Sequence, residues 1–477
     1  MALLDSYHIP GAYVEDCSID VPLDWRGLEP ISLAAGDTIR RGAAPEAIPG
    51  APESIKLFYR VVVKPENRNR DLPLLVYLQG GPGGEGPRLT SAGSDGWTEF
   101  ALEHFRIVLP DQRGTGRSTW LSAGSIEPIA QAARAQGLDP ARAQADYLKR
   151  FLAPSIVRDF EYLRLTQFGG RKWATLGQSY GGFLTLSYLS FYPEGVAASF
   201  TCGGIPHVPG SPREVYEYTF PRMVKKTRQY YERYPGDEAR VAALADRLAK
   251  GDVTLPDGSP FTVRRLQFMG SDFGMKPCWE RMHNLLDMAF ADGDGSIPEN
   301  HEDIAVTDGF KLAVLSRTSS YARPGYWTLQ EPIFVNGTAG APCGWAAAHE
   351  YESRPEFSPD ARPLMFTGEA MFPWVFEEDP ALKPFKPAMD VLMADTEFDP
   401  VYDPARLAAN EVPLQAAVYF DDLYVPSDLQ LDTLSRVGAS HAWVTNEFEH
   451  DGNHGTEVFK HLYMEAYNRG DLDGLLG

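Results

Sequence analysis

Apolar residues along the first 200 positions come in two rhythms. Leu72–Leu78 (LPLLVYL), Phe105–Leu109 (FRIVL) and Val196–Cys202 are short unbroken runs, as expected of strands buried on both faces of a parallel sheet. Ser54–Val63 (SIKLFYRVVV) is β-rich as well. In Ile156–Phe168, by contrast, Val157, Phe160, Leu163 and Leu165 recur at helical spacing. Trp173–Leu176 then leads into Gly177-Gln178-Ser179-Tyr180-Gly181, followed by the helix-like LTLSYLSFY. Strands alternating with helices predict an α/β protein whose parallel sheet carries helices on both faces.

After Pro209 the rhythm changes. From about Ser211 to Leu407 the pattern is mostly helical, interrupted by turns at Pro256-Asp257-Gly258 and Ala339-Gly340-Ala341-Pro342. The sheet pattern returns at Val412–Phe420 and Trp443–Asn446, before a closing helix over Thr456–Asn468. The simplest organisation is one α/β core, residues 1–208 and 409–477, split by a mainly helical cap over residues 209–408. Ligands in such folds bind at the carboxyl edge of the sheet, and the cap is expected to cover that edge.

Composition narrows the partners. The 477 residues are 43% hydrophobic, which excludes a disordered chain. A net charge of −21 argues against nucleic acid and favours a cationic substrate over an anionic one. No apolar stretch reaches the roughly 18 residues of a membrane span, and the start MALLDSYHIPGAYVED lacks the basic and apolar regions of a secretory signal. Cys17, Cys202, Cys278 and Cys343 are too scattered for a disulfide framework or a zinc site. The expectation is a metal-free, cofactor-free cytoplasmic protein, with Asn336-Gly337-Thr338 read as a turn rather than a glycosylation acceptor.

The chemistry centres on Gly177-x-Ser179-x-Gly181 between a strand and a helix. Glycines two residues either side of a serine permit a sharp turn that exposes its hydroxyl at the sheet edge. Such a serine needs a base, and the base needs a carboxylate. In this topology they follow the last two strands: Asp421 and Asp422 after Val412–Phe420, His450 with His454 as fallback after Trp443–Asn446. His441 is expected ahead of that strand, at the surface. Gln79-Gly80-Gly81-Pro82-Gly83-Gly84 follows an earlier strand at the place of an oxyanion loop, which assigns the donors to the amides of Gly81 and Tyr180.

Gly80-Gly81-Pro82-Gly83-Gly84, Asp111-Gln112-Arg113-Gly114-Thr115-Gly116-Arg117-Ser118 and Gly177-Gln178-Ser179-Tyr180-Gly181-Gly182 together resemble the proline iminopeptidase family of α/β-hydrolases, in its long-cap form. The resemblance implies a serine exopeptidase that releases amino-terminal proline from peptides. It makes Ser179 the nucleophile and His450 the base. Asp422 becomes the acid, because Asp422-Leu-Tyr-Val-Pro426 matches the family's Asp-x-x-x-Pro. The family's histidine before the glycine run is Gln79 here, and its glycine three residues before the acid is replaced, which keeps Asp421 as an alternative. Glu331 and Glu369 are similar to cap carboxylates that hold the substrate's protonated amine, and Phe372 and Trp374 would wall a pyrrolidine pocket. Asp111–Ser118 is expected to brace loops by ion pairing. A carboxylesterase, or another peptidase with the same triad, is the alternative activity.

Overall fold

The computed structural model describes residues 2–30, 38–40, 45–290, 296–303 and 305–476. Its strands are β1 (Ala2–Ile9), β2 (Ala12–Pro22), β3 (Leu28–Pro30), β4 (Thr38–Arg40), β5 (Ser54–Val63), β6 (Leu74–Leu78), β7 (Arg106–Pro110), β8 (Trp173–Gln178), β9 (Val196–Cys202), β10 (Leu414–Tyr419) and β11 (Ser440–Thr445). β3 and β4 form a separate ribbon, and the other nine make one sheet in the order β1-β2-β5-β7-β6-β8-β9-β10-β11. Neighbours from β7 through β11 run parallel. β1, β2 and β5 extend the sheet antiparallel at the opposite edge. The α/β class and mostly parallel sheet are those predicted by the alternation of short apolar runs and helices.

The β3–β4 ribbon and two strands of the main sheet, β1 and β2, arise where no element is predicted. Glu15 and Asp16 interrupt the apolar pattern of β2, but the fold offsets that cost. Asp16, only 5% exposed, pairs with Arg60 at 2.9 Å and Arg117 at 2.5 Å. The last strand also begins earlier than expected. His441 is part of β11, opposite Gln415, rather than ahead of it, and it is exposed because β11 is the edge of the sheet.

Between β9 and β10 the described chain is built mainly from helices, among them Pro212–Arg233, Pro235–Leu248, Asp308–Thr318, Ala346–Ser353 and Lys386–Ala394. The longest starts as its sequence dictates. Ser211 caps it by accepting the Glu214 amide at 3.3 Å, and Pro212 occupies the first turn, where no amide is needed. One apolar cluster runs from the sheet into this cap, joining Val76, Leu78 and Phe183 to Phe220, Met223 and Phe366. The other face of the sheet is covered by Trp97, Phe105, Phe459 and Tyr463. Among the described residues no helix is long and apolar enough to cross a membrane.

The Asp111–Ser118 segment braces this frame. Arg113, its side chain fully buried, makes two hydrogen bonds to Asp159, at 2.7 and 2.6 Å, and donates to the carbonyls of Pro22, Leu23 and Arg150. Asp159 also accepts from Trp25 Nε1 at 2.7 Å. Asp111 ties Arg88 (2.7 Å) to the amides of Gly86 and Arg117. Removing one partner of such a pair strands a buried charge, so Arg113→Met should cost about 3–5 kcal/mol in denaturant unfolding. The double variant Arg113→Met/Asp159→Leu should recover part of that loss. Additive losses would contradict the coupling.

Candidate active site

The sharp turn expected at Ser179 is present. β8 ends at Gln178 and the helix Tyr180–Phe191 begins one residue after Ser179, which lies at φ 54°, ψ −125°. That is an unfavourable backbone for a residue with a side chain, the kind of strain that persists where the surroundings over-determine it. The flanking glycines explain how. A Cβ on Gly181 would overlap the Leu78 carbonyl oxygen, and one on Gly177 would overlap the Gly181 carbonyl. The turn is pinned by the Ser179 amide donating to Cys202 O (3.0 Å) and the Gly182 amide donating to Ser179 O (2.8 Å). Gln178 and Tyr180 are buried, whereas Ser179 keeps solvent access.

β10 and β11 deliver the other two groups to the same sheet edge. His450 Nδ1 lies 2.8 Å from Asp422 Oδ2, with His450 2% exposed and Asp422 fully buried. Asp422 Oδ1 accepts the amides of Tyr424 (2.8 Å) and Val425 (3.0 Å), which gives Asp-x-x-x-Pro a physical reason: the turn folds two N–H groups back onto the carboxylate. Asp421, the alternative acid, faces outward and pairs with Lys225 at 3.6 Å. His454, the alternative base, bonds to Asp95 at 3.1 Å and is exposed. The turn after β9 measures how close the pieces come. A Cβ on Gly203 would sit 3.1 Å from Asp422 Oδ2, while one on Gly204 would strike the backbone of Ser179. Burial disfavours the His450 imidazolium, but the Asp422 and Glu369 carboxylates outweigh it and hold the pKa above the ordinary histidine value.

The glycine loop after β6 packs against the nucleophile, since a Cβ on Gly80 would lie 3.0 Å from that of Ser179. Gln79, where the resemblance has a histidine, supports the loop. Its Oε1 accepts the Gly80 amide (2.8 Å), its Nε2 donates to Glu85 O (2.9 Å), and its carbonyl accepts Gln112 Nε2 (2.6 Å). The Tyr180 amide opens its helix, where the first N–H groups lack intrahelical partners. Gly81 follows directly on the braced Gly80.

The cap carries two carboxyl groups of raised pKa, and Glu369 is the one tied to this region. Glu369 accepts a hydrogen bond from the Tyr326 hydroxyl. Burial pushes its carboxyl up to about 7, the His450 charge draws it down and Asp422 raises it further, so it stands within electrostatic reach of the pair. Glu331 is fully buried and accepts the amides of Ala346 and Ala347, each at 3.0 Å, at the start of the helix Ala346–Ser353. Burial outweighs those two bonds and raises it to about 8. Among the described residues neither carboxyl has an Arg, Lys or His nitrogen within salt-bridge distance. The buried Tyr216 hydroxyl, on the helix Pro212–Arg233, feels both.

Tyr326 and Tyr216 escape sequence reasoning. Tyr326 is seated by close approach, its amide lying 2.9 Å from where a Gly83 side chain would begin, so the third glycine of the loop leaves room for the cap. The Pro324-Gly325 pair before it signals a turn but not what the turn carries. Tyr216 looks like any aromatic on the apolar face of a helix. Phe372 and Trp374 are 3% and 8% exposed and stack on each other, centroids 5.8 Å apart. Phe268 packs edge-on against both, and Tyr351 against Phe372. They form an aromatic layer inside the cap.

Residues 73–242 match the family model described as the alpha/beta hydrolase fold. A proline iminopeptidase of Aeromonas sobria is 38% identical over 405 residues, which is 85% of this chain and 89% of that protein. One from Aspergillus aculeatus is 32% identical over 418 residues, 84% of this chain and 86% of its own length. The buried Asp422–His450 pair, the strained serine and the glycine loop thus sit in a chain that matches these relatives over most of its length. The protein belongs to the proline iminopeptidase family of α/β-hydrolases.

Proposed function

We propose that the protein is a serine exopeptidase that releases amino-terminal proline from peptides, with Ser179, His450 and Asp422 as its triad. The observation that carries the substrate class is Glu331 and Glu369, two carboxyl groups held by the cap with only two amides and one hydroxyl as donors and, among the described residues, no Arg or Lys nitrogen within salt-bridge distance. An aminopeptidase must desolvate a protonated amine, which is prohibitive without a counter-charge. A cation docked against these groups would draw their protons off and leave them ionised. Phe372 and Trp374 back the pocket for the pyrrolidine ring from within the cap.

In the reaction, His450 takes the proton of Ser179 through Nε2, because Nδ1 is engaged by Asp422. Ser179 attacks the prolyl carbonyl, and the amides of Gly81 and Tyr180 receive the oxyanion. His450 then protonates the departing peptide amine, releasing it. Water, deprotonated by the same imidazole, hydrolyses the prolyl ester and restores Ser179. The four cysteines are buried and free, in keeping with a cytoplasmic site of action.

Two outcomes test the assignment. Asp422→Asn should lower kcat on proline 4-nitroanilide by about 10⁴-fold, as loss of the orienting carboxylate does elsewhere. Asp421→Asn should leave it within about twofold, since that side chain is paired at the surface. The reverse ranking would move the acid to Asp421.

The pH profile separates binding from chemistry. Below about 7 the proline amide requires three groups to lose a proton, Glu331 and Glu369 to hold the amine and His450 to act as base. A neutral butyrate ester requires only His450. As pH falls, log kcat/KM should therefore drop with a slope approaching three for the amide and one for the ester. Glu369→Gln should reduce the amide slope by one and its kcat/KM by about 10–100-fold, sparing the ester. Equal losses on both substrates would assign Glu369 to folding. Glu331→Gln should discriminate in the same sense, with some loss of stability, because an amide nitrogen would face the Ala346 or Ala347 N–H.

A further inference from the structure

The cap helix Pro212–Arg233 lies against the two loops that carry Asp422 and His450, and two of its cations, one turn apart, reach them. Arg222 Nη1 donates to the carbonyls of Phe420 (3.1 Å) and Asp422 (3.5 Å). Its Nη2 donates to Ser427 Oγ (3.2 Å) and Asp428 Oδ2 (2.7 Å). Lys226 Nζ lies 2.5 Å from Oε1 of Glu449, the residue immediately before His450, with the two side chains 8% and 10% exposed. Lys226 also sits 5.4 Å from the centre of the Trp279 ring.

A second stretch of cap completes the grip. The His450 amide donates to Gly274 O at 2.8 Å, Lys276 Nζ donates to Glu447 O at 2.7 Å, and the Tyr424 hydroxyl donates to Ser271 O. Apart from the Glu447 amide, which donates to Thr445 Oγ1 at the end of β11, hydrogen bonds from residues 447–450 to anything beyond their own loop and Asp422 go, among the described residues, to the cap. This loop leaves an exposed edge strand and has no regular structure before Asp451. The sheet therefore delivers the loop and seats the Phe448 ring against Tyr419 and Trp443, while the cap supplies the polar contacts at Glu447, Glu449 and His450.

We infer that Lys226 is a positioning residue for the catalytic base. Its pair with Glu449, beside the grip of Arg222 on the acid loop, references the imidazole of His450 to the cap and so sets its aim at Ser179. A misplacement on the order of 1 Å in such a group can cost about 10²-fold in rate. The inference rests on His450 being the base, and a structural role for Lys226 would look different. A lost scaffold contact lowers the fraction of folded enzyme. A misaimed base lowers the turnover of each folded molecule, on every substrate alike, without weakening substrate binding.

The test is Lys226→Met in the full-length enzyme, folding being checked by circular dichroism. kcat and KM are measured on proline 4-nitroanilide and on a butyrate ester, together with the second-order rate of Ser179 labelling by a fluorophosphonate. The expected result is a fall in kcat of about 10–100-fold on both substrates, with KM unchanged and labelling slowed in parallel. Lys226→Arg should restore most of the rate, and Arg228→Gln, an exposed cation on the same helix, should change nothing. If Lys226→Met does not fold, Glu449→Gln, which keeps the shape and an acceptor for Lys226, should still lower kcat on both substrates at constant KM. Folded Lys226→Met, or Glu449→Gln in its place, with wild-type kcat and labelling rate would overturn the positioning role alone. A wild-type enzyme not labelled at Ser179 would overturn the triad and this role with it.

Discussion

A carboxylate shut away from water has to be surrounded by donors, and Asp422 shows how far that requirement orders its surroundings. The effective cost of burying such an ion without partners is several kcal/mol. Here Oδ1 takes two backbone amides and Oδ2 takes the imidazole, so the carboxylate is satisfied only if three segments of chain are in place at once. The Asp422–Pro426 turn, the loop to His450 and the end of β10 are thereby locked to one another. The consequence for chemistry is specific. With Nδ1 committed to Asp422, His450 has one nitrogen left to exchange protons, and the loop geometry decides what that nitrogen faces.

The cap carboxyls obey the opposite rule. Glu331 has two amide donors and Glu369 one hydroxyl, too few to hold either charge at its usual pKa against burial. As the proposed amine site, such a pair would be poorly satisfied until a cation arrived, and would discriminate because a neutral group brings nothing to the exchange. The proposal thus places charge recognition on the cap and nucleophilic attack on the sheet. Tyr326 is where they meet, its hydroxyl on Glu369 and its backbone against the glycine loop. The overall surplus of acidic residues points the same way but is too diffuse to identify these two groups.

Much of the sheet was legible because its strands are continuous apolar runs. Val196–Cys202 matches β9 residue for residue, and β6 and β7 deviate by one or two positions at their ends. Ser179 was legible because steric need writes itself into sequence as paired glycines. Asp422 and Asp421 could be ranked only by resemblance, since adjacent residues on a strand end differ in which way they point, and that is decided by the amides of Tyr424 and Val425. β2 was hidden because Asp16 reads as polar until Arg60 and Arg117, far along the chain, are seen to neutralise it. The contacts of the cap with the catalytic loops were equally hidden. Lys226 looks like one member of a basic pair on a helix, and only its partner at position 449 reveals that it faces inward.

The shared core of cap and sheet also bears on how a single residue is measured off. Phe334 of the cap packs against Phe183 of the core, ring centroids 5.7 Å apart, so lifting the cap as a body would expose that contact, at about 1.5–3 kcal/mol for each large side chain. It would also break the buried pair of Lys226 with Glu449 and separate the cap from the loops that orient Asp422 and His450. On the proposed reading, whole-cap opening would therefore disassemble the triad, substrate would reach Ser179 with the cap seated, and release of a single residue would depend on the space the seated cap leaves rather than on a closing motion.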